Sequence, residues 1–305
     1  MKSPIIQRCC PVCQGAERLP HWQKGELRLV RCRQCAMVYA SPVPEVFTSG
    51  AYYDGVGSDF YLSPTKLEGD YAESRFQREL RLFRQHCRRG KVLDVGCSSG
   101  AFLFQLRRRF PSDYEVVGTD VSGPPLDYAE SRGIPVQRGD FLEGDFGGGG
   151  LDAITFWAVL EHLDRPRGFM EKTASLLPAG GQCFVLVPNL DSLAICLLGA
   201  RYRYVYPQHL NYFSRGTLLR LVDPWFELVE ARTTHFNPVV IWQDWRSGGR
   251  EVSNRERAGL LKRTTSFKQN PWLAPVRLGY KLAESCLGRL GWADNLAVVL
   301  RRRSA

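Results

Sequence analysis

Four cysteines near the start of the chain have the spacing of a metal site: Cys10-x2-Cys13 and Cys32-x2-Cys35, with 18 residues between the two pairs. A two-residue spacer lets both thiolates of a pair reach one tetrahedral ion at about 2.3 Å, and two such pairs close a shell of four sulfurs around zinc. A closed shell has no position for a reacting water. The site is therefore expected to be structural, supplying folding free energy that a module of about 40 residues could hardly draw from burial alone. Disulfides are the alternative, but Met1 to Pro11 lacks the apolar core of a secretory signal. Cys9 is a surplus thiol, and using it in place of Cys10 gives a poorer spacing.

A second constellation is Asp94-Val-Gly96-Cys97-Ser98-Ser99-Gly100, followed 20 residues later by Asp120. Glycines at 96 and 100 allow a tight strand-to-helix turn and close approach of a ligand to the backbone. An acidic residue about 20 positions on can accept hydrogen bonds from both hydroxyls of a ribose. An adenosine-containing ligand is implied. Cys97 and Ser98 stand where a dinucleotide fingerprint needs its second glycine, and there is no Gly-Lys-Ser/Thr of a phosphate loop, so neither NAD nor ATP is favoured.

Two histidines could move a proton. His209 lies in the polar and aromatic stretch Pro207 to Ser214, and an imidazole near neutral pKa suits a base beside an acceptor; anchoring its loop by a hydrogen bond to a carbonyl is the competing role. Glu161-His162 follows a strand, where such a pair more often orients a loop than does chemistry. Tyr52, Tyr53, Tyr61 and Tyr71 precede a helix expected over about Ala72 to Cys87, and their rings could cover a ligand or simply pack the cysteine module onto the rest of the chain.

These residues need elements to hold them. Apolar runs at 91–95, 115–119, 134–137, 151–157 and 182–187 read as strands, and Ala101 to Arg109, Pro125 to Arg132 and Arg165 to Leu177 as the helices between them. Such alternation predicts a doubly wound, mostly parallel α/β sheet with ligands at the carboxyl ends of its strands. Phe226 to Phe236 and Asn295 to Leu300 are expected to close it as a sixth strand and an antiparallel seventh.

At this point the chain resembles the class I S-adenosylmethionine-dependent methyltransferases, over about residues 85–235. The resemblance rests on Val92 to Gly100, Gly118-Thr-Asp120, Gly139-Asp140-Phe141, Trp157-Ala-Val-Leu-Glu161-His162-Leu and Leu176-Leu-Pro-Ala-Gly-Gly181. It implies that the loop of Asp94, Gly96 and Gly100 cradles the methionyl end of the cofactor and that Asp120 holds the ribose. It also implies that Asp140 meets the adenine amino group, Phe141 lies along the adenine edge and Trp157 lines the pocket. His209-Leu-x-Tyr-Phe213 is similar to a stretch of ubiquinone-pathway and sugar methyltransferases. The expected activity is methyl transfer to O or C of a small molecule: a sugar, a polyprenyl-linked precursor or a secondary metabolite.

The net charge of +10 over 305 residues is uneven. Residues 1–40 hold seven Lys/Arg against two Asp/Glu and residues 240–305 hold thirteen against five, leaving 21 against 24 between them. A mildly acidic middle suits a sulfonium cation, and basic ends suit an anionic partner or a solvated surface. About 55 residues separate the last two strands where two would make a hairpin, and Arg255, Arg257, Lys262, Lys281 and Arg289 alternate there with Trp242, Trp245, Trp272 and Trp292. That pattern fits a membrane surface, a lipid-linked acceptor, RNA or a plain helical cap. The rival function is an RNA base methyltransferase, but Phe156 to His162 lacks the Asn/Asp-Pro-Pro-Tyr type of motif that many amino-group methylases use to hold a flat base. Apolar stretches such as Leu193 to Leu198 are too short to span a bilayer, so a cytoplasmic location is expected. The organisation expected is a zinc ribbon at 1–45, an aromatic lead-in at 46–90, a core at 91–237 and 292–305, and a basic helical insertion at 238–291.

Overall fold

The computed structural model describes residues 4–48, 52–147, 150–249 and 274–304. The N-terminal part contributes β1 (Ile5–Ile6), β2 (Arg18–Lys24), β3 (Leu27–Cys32), β4 (Val38–Ala40) and β5 (Val43–Pro44). After it come α1 (Ser58–Tyr61), α2 (Pro64–Tyr71) and α3 (Gln77–His86). The alternating part runs β6 (Gly90–Val95), α4 (Ala101–Arg109), β7 (Tyr114–Asp120), α5 (Gly123–Ser131), β8 (Val136–Arg138), β9 (Ala153–Trp157), α6 (Pro166–Leu176) and β10 (Gln182–Pro188). It continues with α7 (Leu193–Leu198), β11 (Asn211–Tyr212), α8 (Arg215–Val222), β12 (Phe226–Thr234), α9 (Pro238–Arg246), α10 (Ala274–Leu290) and β13 (Asn295–Arg302).

Seven strands form one sheet in the order β12-β13-β10-β9-β6-β7-β8, parallel except for β13, which runs against both β10 and β12. Val92 and Leu93 of β6, Ile154 and Phe156 of β9 and Cys183 to Val185 of β10 are fully buried, as central strands covered on both faces must be. The period of two sorts their side chains. Leu296, Val298 and Leu300 of β13 face one cluster with Met170, Ala174, Leu218 and Leu221, while Ala297 and Val299 face another with Leu80, Phe83, Phe102 and Leu106. The seven-stranded, mostly parallel sheet expected from the sequence is therefore present.

The cysteine module is continuous with this core. β2, β3 and β4 make an antiparallel sheet whose fourth strand is β11, with Asn211 opposite Tyr39 and Tyr212 opposite Val38. Cys10, Cys32, Cys35, Met37 and Tyr39 sit in the same apolar cluster as Phe156, Phe213 and Leu218. Arg8 pins the junction: 5% exposed, it donates from Nε to Asp164 at 2.8 Å and from its terminal nitrogens to the carbonyls of Ala40 and Leu210 and to Asn211 Oδ1.

One helix differs from its expectation. The span 72–87 is broken, because Ala72 leaves the helix in an extended conformation and Phe76 takes φ +59°, so α3 begins at Gln77. Tertiary contacts hold the break: Gln105 Nε2 donates to the carbonyls of Tyr71 and Ala72, and the Phe76 ring lies 5.8 Å from that of Phe102. Within the basic insertion, 250–273 lies outside the described residues, including Arg255, Arg257, Lys262 and Trp272. No helix among the described residues is long and apolar enough to cross a membrane.

Candidate active site

The carboxyl ends of β6 and β7 bring the glycine loop and Asp120 together. Val95 lies opposite Thr119 in the parallel register, so the loop leaves its strand beside Asp120. The Asp120 carboxylate accepts hydrogen bonds from the backbone N–H of Ser98 at 2.8 Å and of Ser122 at 3.0 Å. Each oxygen keeps a further lone pair for a ligand hydroxyl. Gly96 and Gly100 have φ of +71° and +74°. A Cβ on Gly96 would stand 2.6 Å from Val159 Cγ2, and one on Gly100 2.9 Å from the Ala129 Cβ, so both positions need the missing side chain. Asp94 is 3% exposed and accepts from Thr155 Oγ1 at 2.6 Å; burial pushes its carboxyl up to about 7 and raises that of Asp120 as well. A cation beside them would restore their charge, so this pair suits a positively charged ligand.

The other residues named for the cofactor fare differently. Asp140 stands exposed after β8, where its carboxylate caps its own turn by accepting from Leu142 N at 2.9 Å. Gly139 N donates to the Asp120 carbonyl, which keeps the two segments adjacent. Phe141 corrects the expectation for its side chain. It is 2% exposed, stacked on Phe169 with centroids 5.3 Å apart and set edge-on to Phe156 in the core. An apolar ring beside three other aromatic rings gains more from burial than from a half-solvated ligand edge, so that position has only its main chain to offer. Trp157 ends β9 half-buried, its ring 5.1 Å from Phe102, and its buried indole N–H has no hydrogen-bond partner among the described residues.

A separate cluster sits on the turn after β9. Glu161, His162 and His209 place one ligand-type atom each within 4.8 Å of one another. His209 is 4% exposed, and its Nδ1 lies 2.9 Å from the Tyr204 carbonyl. A carbonyl only accepts, so Nδ1 carries the proton and Nε2 of the neutral ring is the basic nitrogen. The same logic applies to His162, whose Nδ1 lies 2.9 Å from the Gln208 carbonyl and 2.8 Å from the Tyr53 hydroxyl. The two imidazoles meet edge to face at 4.7 Å. Glu161 is 1% exposed, and burial pushes its carboxyl up to about 8, so it is largely protonated at neutral pH. This arrangement can accept a proton or hold a divalent cation.

The tyrosine segment joins the two clusters. Tyr71 donates to the Ser99 carbonyl at 2.5 Å, the Tyr53 carbonyl accepts from Ser122 Oγ, and Tyr52 Oη accepts from Gln208 Nε2. Burial raises the pKa of Tyr53 and Tyr61 well above the ordinary phenol value, so both stay neutral donors. The sequence signalled these tyrosines but not their contacts. Nothing in its spacing announced Arg8 or the pairing of Tyr53 with His162.

At the far side of the ribbon, Cys10 Sγ lies 3.3 Å from Cys35 Sγ and Cys13 Sγ 3.5 Å from Cys32 Sγ. All four sulfurs fall within 4.8 Å of one another, and none of the ten cysteines is in a disulfide. The edge of a tetrahedron with metal–sulfur bonds of about 2.3 Å is about 3.8 Å, so small adjustments would seat an ion.

Fold and site together define a doubly wound α/β domain of the class I methyltransferase type. A family model described as "Methyltransferase domain" matches residues 70–224, half of the chain, and the chain belongs to that family. It is 30% identical over 150 residues to the ubiquinone biosynthesis O-methyltransferase of Erwinia tasmaniensis, which covers 45% of this chain and 60% of that protein. The match thus spans less than two thirds of that relative's length. Among solved structures it is similar to the PH0226 protein from Pyrococcus horikoshii, at 16% identity, with a TM-score of 0.50 over 83% of this chain and 99% of that one. It is also similar to the cyclase SpnF, at 14% identity and a TM-score of 0.50 over 75% and 81%. Identities this low speak for the fold alone.

Proposed function

We propose that this chain transfers a methyl group from S-adenosylmethionine to an oxygen or carbon of a small-molecule acceptor. The observation that carries the reading is the latch of the glycine loop onto Asp120, which joins a ribose-binding carboxylate to a backbone cradle at the carboxyl edge of the sheet. S-adenosylmethionine bound there supplies an electrophilic methyl carbon. Asp94, Gly96 and Gly100 are assigned to its methionyl end, Asp120 to the ribose, Asp140 and the main chain of Phe141 to the adenine, and Trp157 to the pocket wall. The chain's own contribution is alignment, which accounts for much of the rate in a displacement between held partners.

His209 is assigned to the acceptor proton together with His162. His162 offers the more accessible ring, and His209 backs it with a tautomer set by Tyr204. A second reading, a divalent cation held by Glu161, His162 and His209, is favoured by their convergence within 4.8 Å and predicts loss of activity on chelation. Cys10, Cys13, Cys32 and Cys35 are assigned to one structural zinc, with residues 1–45 as the ribbon, 46–90 as the aromatic lead-in, 91–237 with 292–305 as the catalytic core and 238–291 as the insertion. On α9, Val239, Trp242 and Trp245 are more than half exposed, which supports contact between the insertion and a lipid surface or lipid-linked acceptor. The curated relative and the Phe156–His162 segment both favour a small acceptor over an RNA base.

Calorimetry with S-adenosylhomocysteine tests the assignment. Wild type should bind it, and Asp120→Ala should weaken binding by about 1.5–3 kcal/mol, the cost of losing charge-assisted hydrogen bonds. Equal affinity in both proteins would remove Asp120 from the ribose.

A further inference from the structure

We infer that the open cavity between α3, α10 and β12 is a ligand site in its own right, and that it selects a molecule with an apolar body and one phosphate or carboxylate group. The site stands beside the methyltransferase reading above, since its lining includes neither His162 nor His209. The cavity has a volume of about 590 Å³, within the usual range for small-molecule sites. Its inner end is formed by Trp157 and Leu186, paired neighbours at the carboxyl ends of β9 and β10, and by Thr234 at the end of β12. It therefore opens on the edge of the sheet where ligands of this architecture bind.

The lining divides by chemistry. Leu82, Leu186, Ala231, Ala297 and the Trp157 indole give an apolar floor. The walls carry five cationic side chains against the carboxylates of Glu79 and Glu284. Arg78 engages Glu284 through both terminal nitrogens at 2.7 and 2.6 Å, and Arg232 pairs with Glu230, so these two cations are neutralised inside the protein. Arg81, Lys281 and Arg289 have no carboxylate partner among the described residues, which leaves three cations against Glu79 alone. Lys281 and Arg289 are eight residues apart on α10, and Arg81 faces the same space from α3. An unneutralised cationic wall beside low-dielectric side chains concentrates negative charge, and guanidinium groups match phosphate and carboxylate oxygens in pairs. A neutral ligand would leave this wall without a counter-charge.

The test uses the full chain saturated with S-adenosylhomocysteine, titrated calorimetrically with phenyl phosphate and, separately, with benzoate. At least one probe should bind at a single saturable site. Lys281→Gln with Arg289→Gln, both exposed on the open wall of the cavity, should weaken that binding by about tenfold or more while affinity for S-adenosylhomocysteine and melting temperature stay unchanged. Arg28→Gln, an exposed change of charge on β3, should have no effect, and the better of the two probes identifies the anionic group. Absence of saturable binding by either probe, or binding that the double variant keeps, overturns the inference. Failure of wild type to bind S-adenosylhomocysteine instead removes the methyltransferase reading, and the probe titrations, repeated without it, still decide the anion site.

Discussion

Gly96→Ala probes the joint between the cofactor loop and the turn that carries Glu161 and His162. Two costs can be worked from the geometry. Alanine at φ +71° sits in the left-handed region, at about 1–2 kcal/mol. Its Cβ would also lie 2.6 Å from Val159 Cγ2 and 3.2 Å from Cγ1, about 1 Å inside ordinary carbon–carbon contact, and such overpacking costs about 1–3 kcal/mol. The single variant should therefore lose about 2–5 kcal/mol in urea unfolding with an unchanged m-value. Val159→Ala alone should lose about 1–2 kcal/mol, the transfer free energy of two partly buried methyl groups. In the double variant the clash disappears while the dihedral strain stays, so its loss should fall short of the summed single losses by about 1–3 kcal/mol. Because Val159 leads into the turn Leu160–His162, S-adenosylhomocysteine affinity should fall in Gly96→Ala and partly recover in the double variant. Additivity within about 0.5 kcal/mol would refute the reasoning, since it would mean that the two side chains never compete for space.

Purified protein should contain one zinc per chain by elemental analysis, and Cys32→Ser should lose it with a lower melting temperature; a metal-free wild type would sink the ribbon assignment. His162→Ala should lower the turnover rate by about 10²- to 10⁴-fold with little change in melting. His209→Ala, which removes a buried ring bonded to the Tyr204 carbonyl, should cost about 1–3 kcal/mol of stability as well; a loss confined to stability would make His209 an anchor only. For Glu161 the sign of the pH effect follows from a folded-state pKa raised from 4.5 to about 8. The folded chain keeps a proton that the unfolded chain releases, so stability falls as pH rises from about 4.5 towards 8. Glu161→Gln should flatten part of that decline in melting temperature across the window, leaving the slope due to Asp94, Asp120 and Asp294, whose carboxyls burial also raises; an unchanged slope would mean that Glu161 is not held protonated.

The sequence by itself determined what local patterns can carry. The spacing of Cys10, Cys13, Cys32 and Cys35 is a short-range property, and those four sulfurs converge as the spacing requires. The strands β6, β7, β9 and β10 were legible because each is a short apolar run next to a helical pattern, and a parallel sheet buries both faces of such runs. Gly96 and Gly100 were legible because a tight strand-to-helix turn demands missing side chains at fixed distances along the chain, and both take positive φ.

What tertiary structure decided depended on segments far apart in sequence meeting at particular angles. His162 and His209 are 47 positions apart, and hydrogen bonds from Leu210 N and the Asn211 side chain to the turn at Leu160–Leu163 bring them together. The apolar character of Phe141 could not say whether its ring would meet a ligand or the core; the positions of Phe146, Phe156 and Phe169 settled that. Ala72 to Phe76 reads as helix in isolation, yet Gln105 and Phe102 hold it open. Arg8 stands in no motif, and its role arises because four carbonyl or carboxylate groups from three distant segments converge on one buried guanidinium. Periodicity and spacing encode a residue's own neighbourhood along the chain; the partner across a packed interface is chosen by how the elements stack.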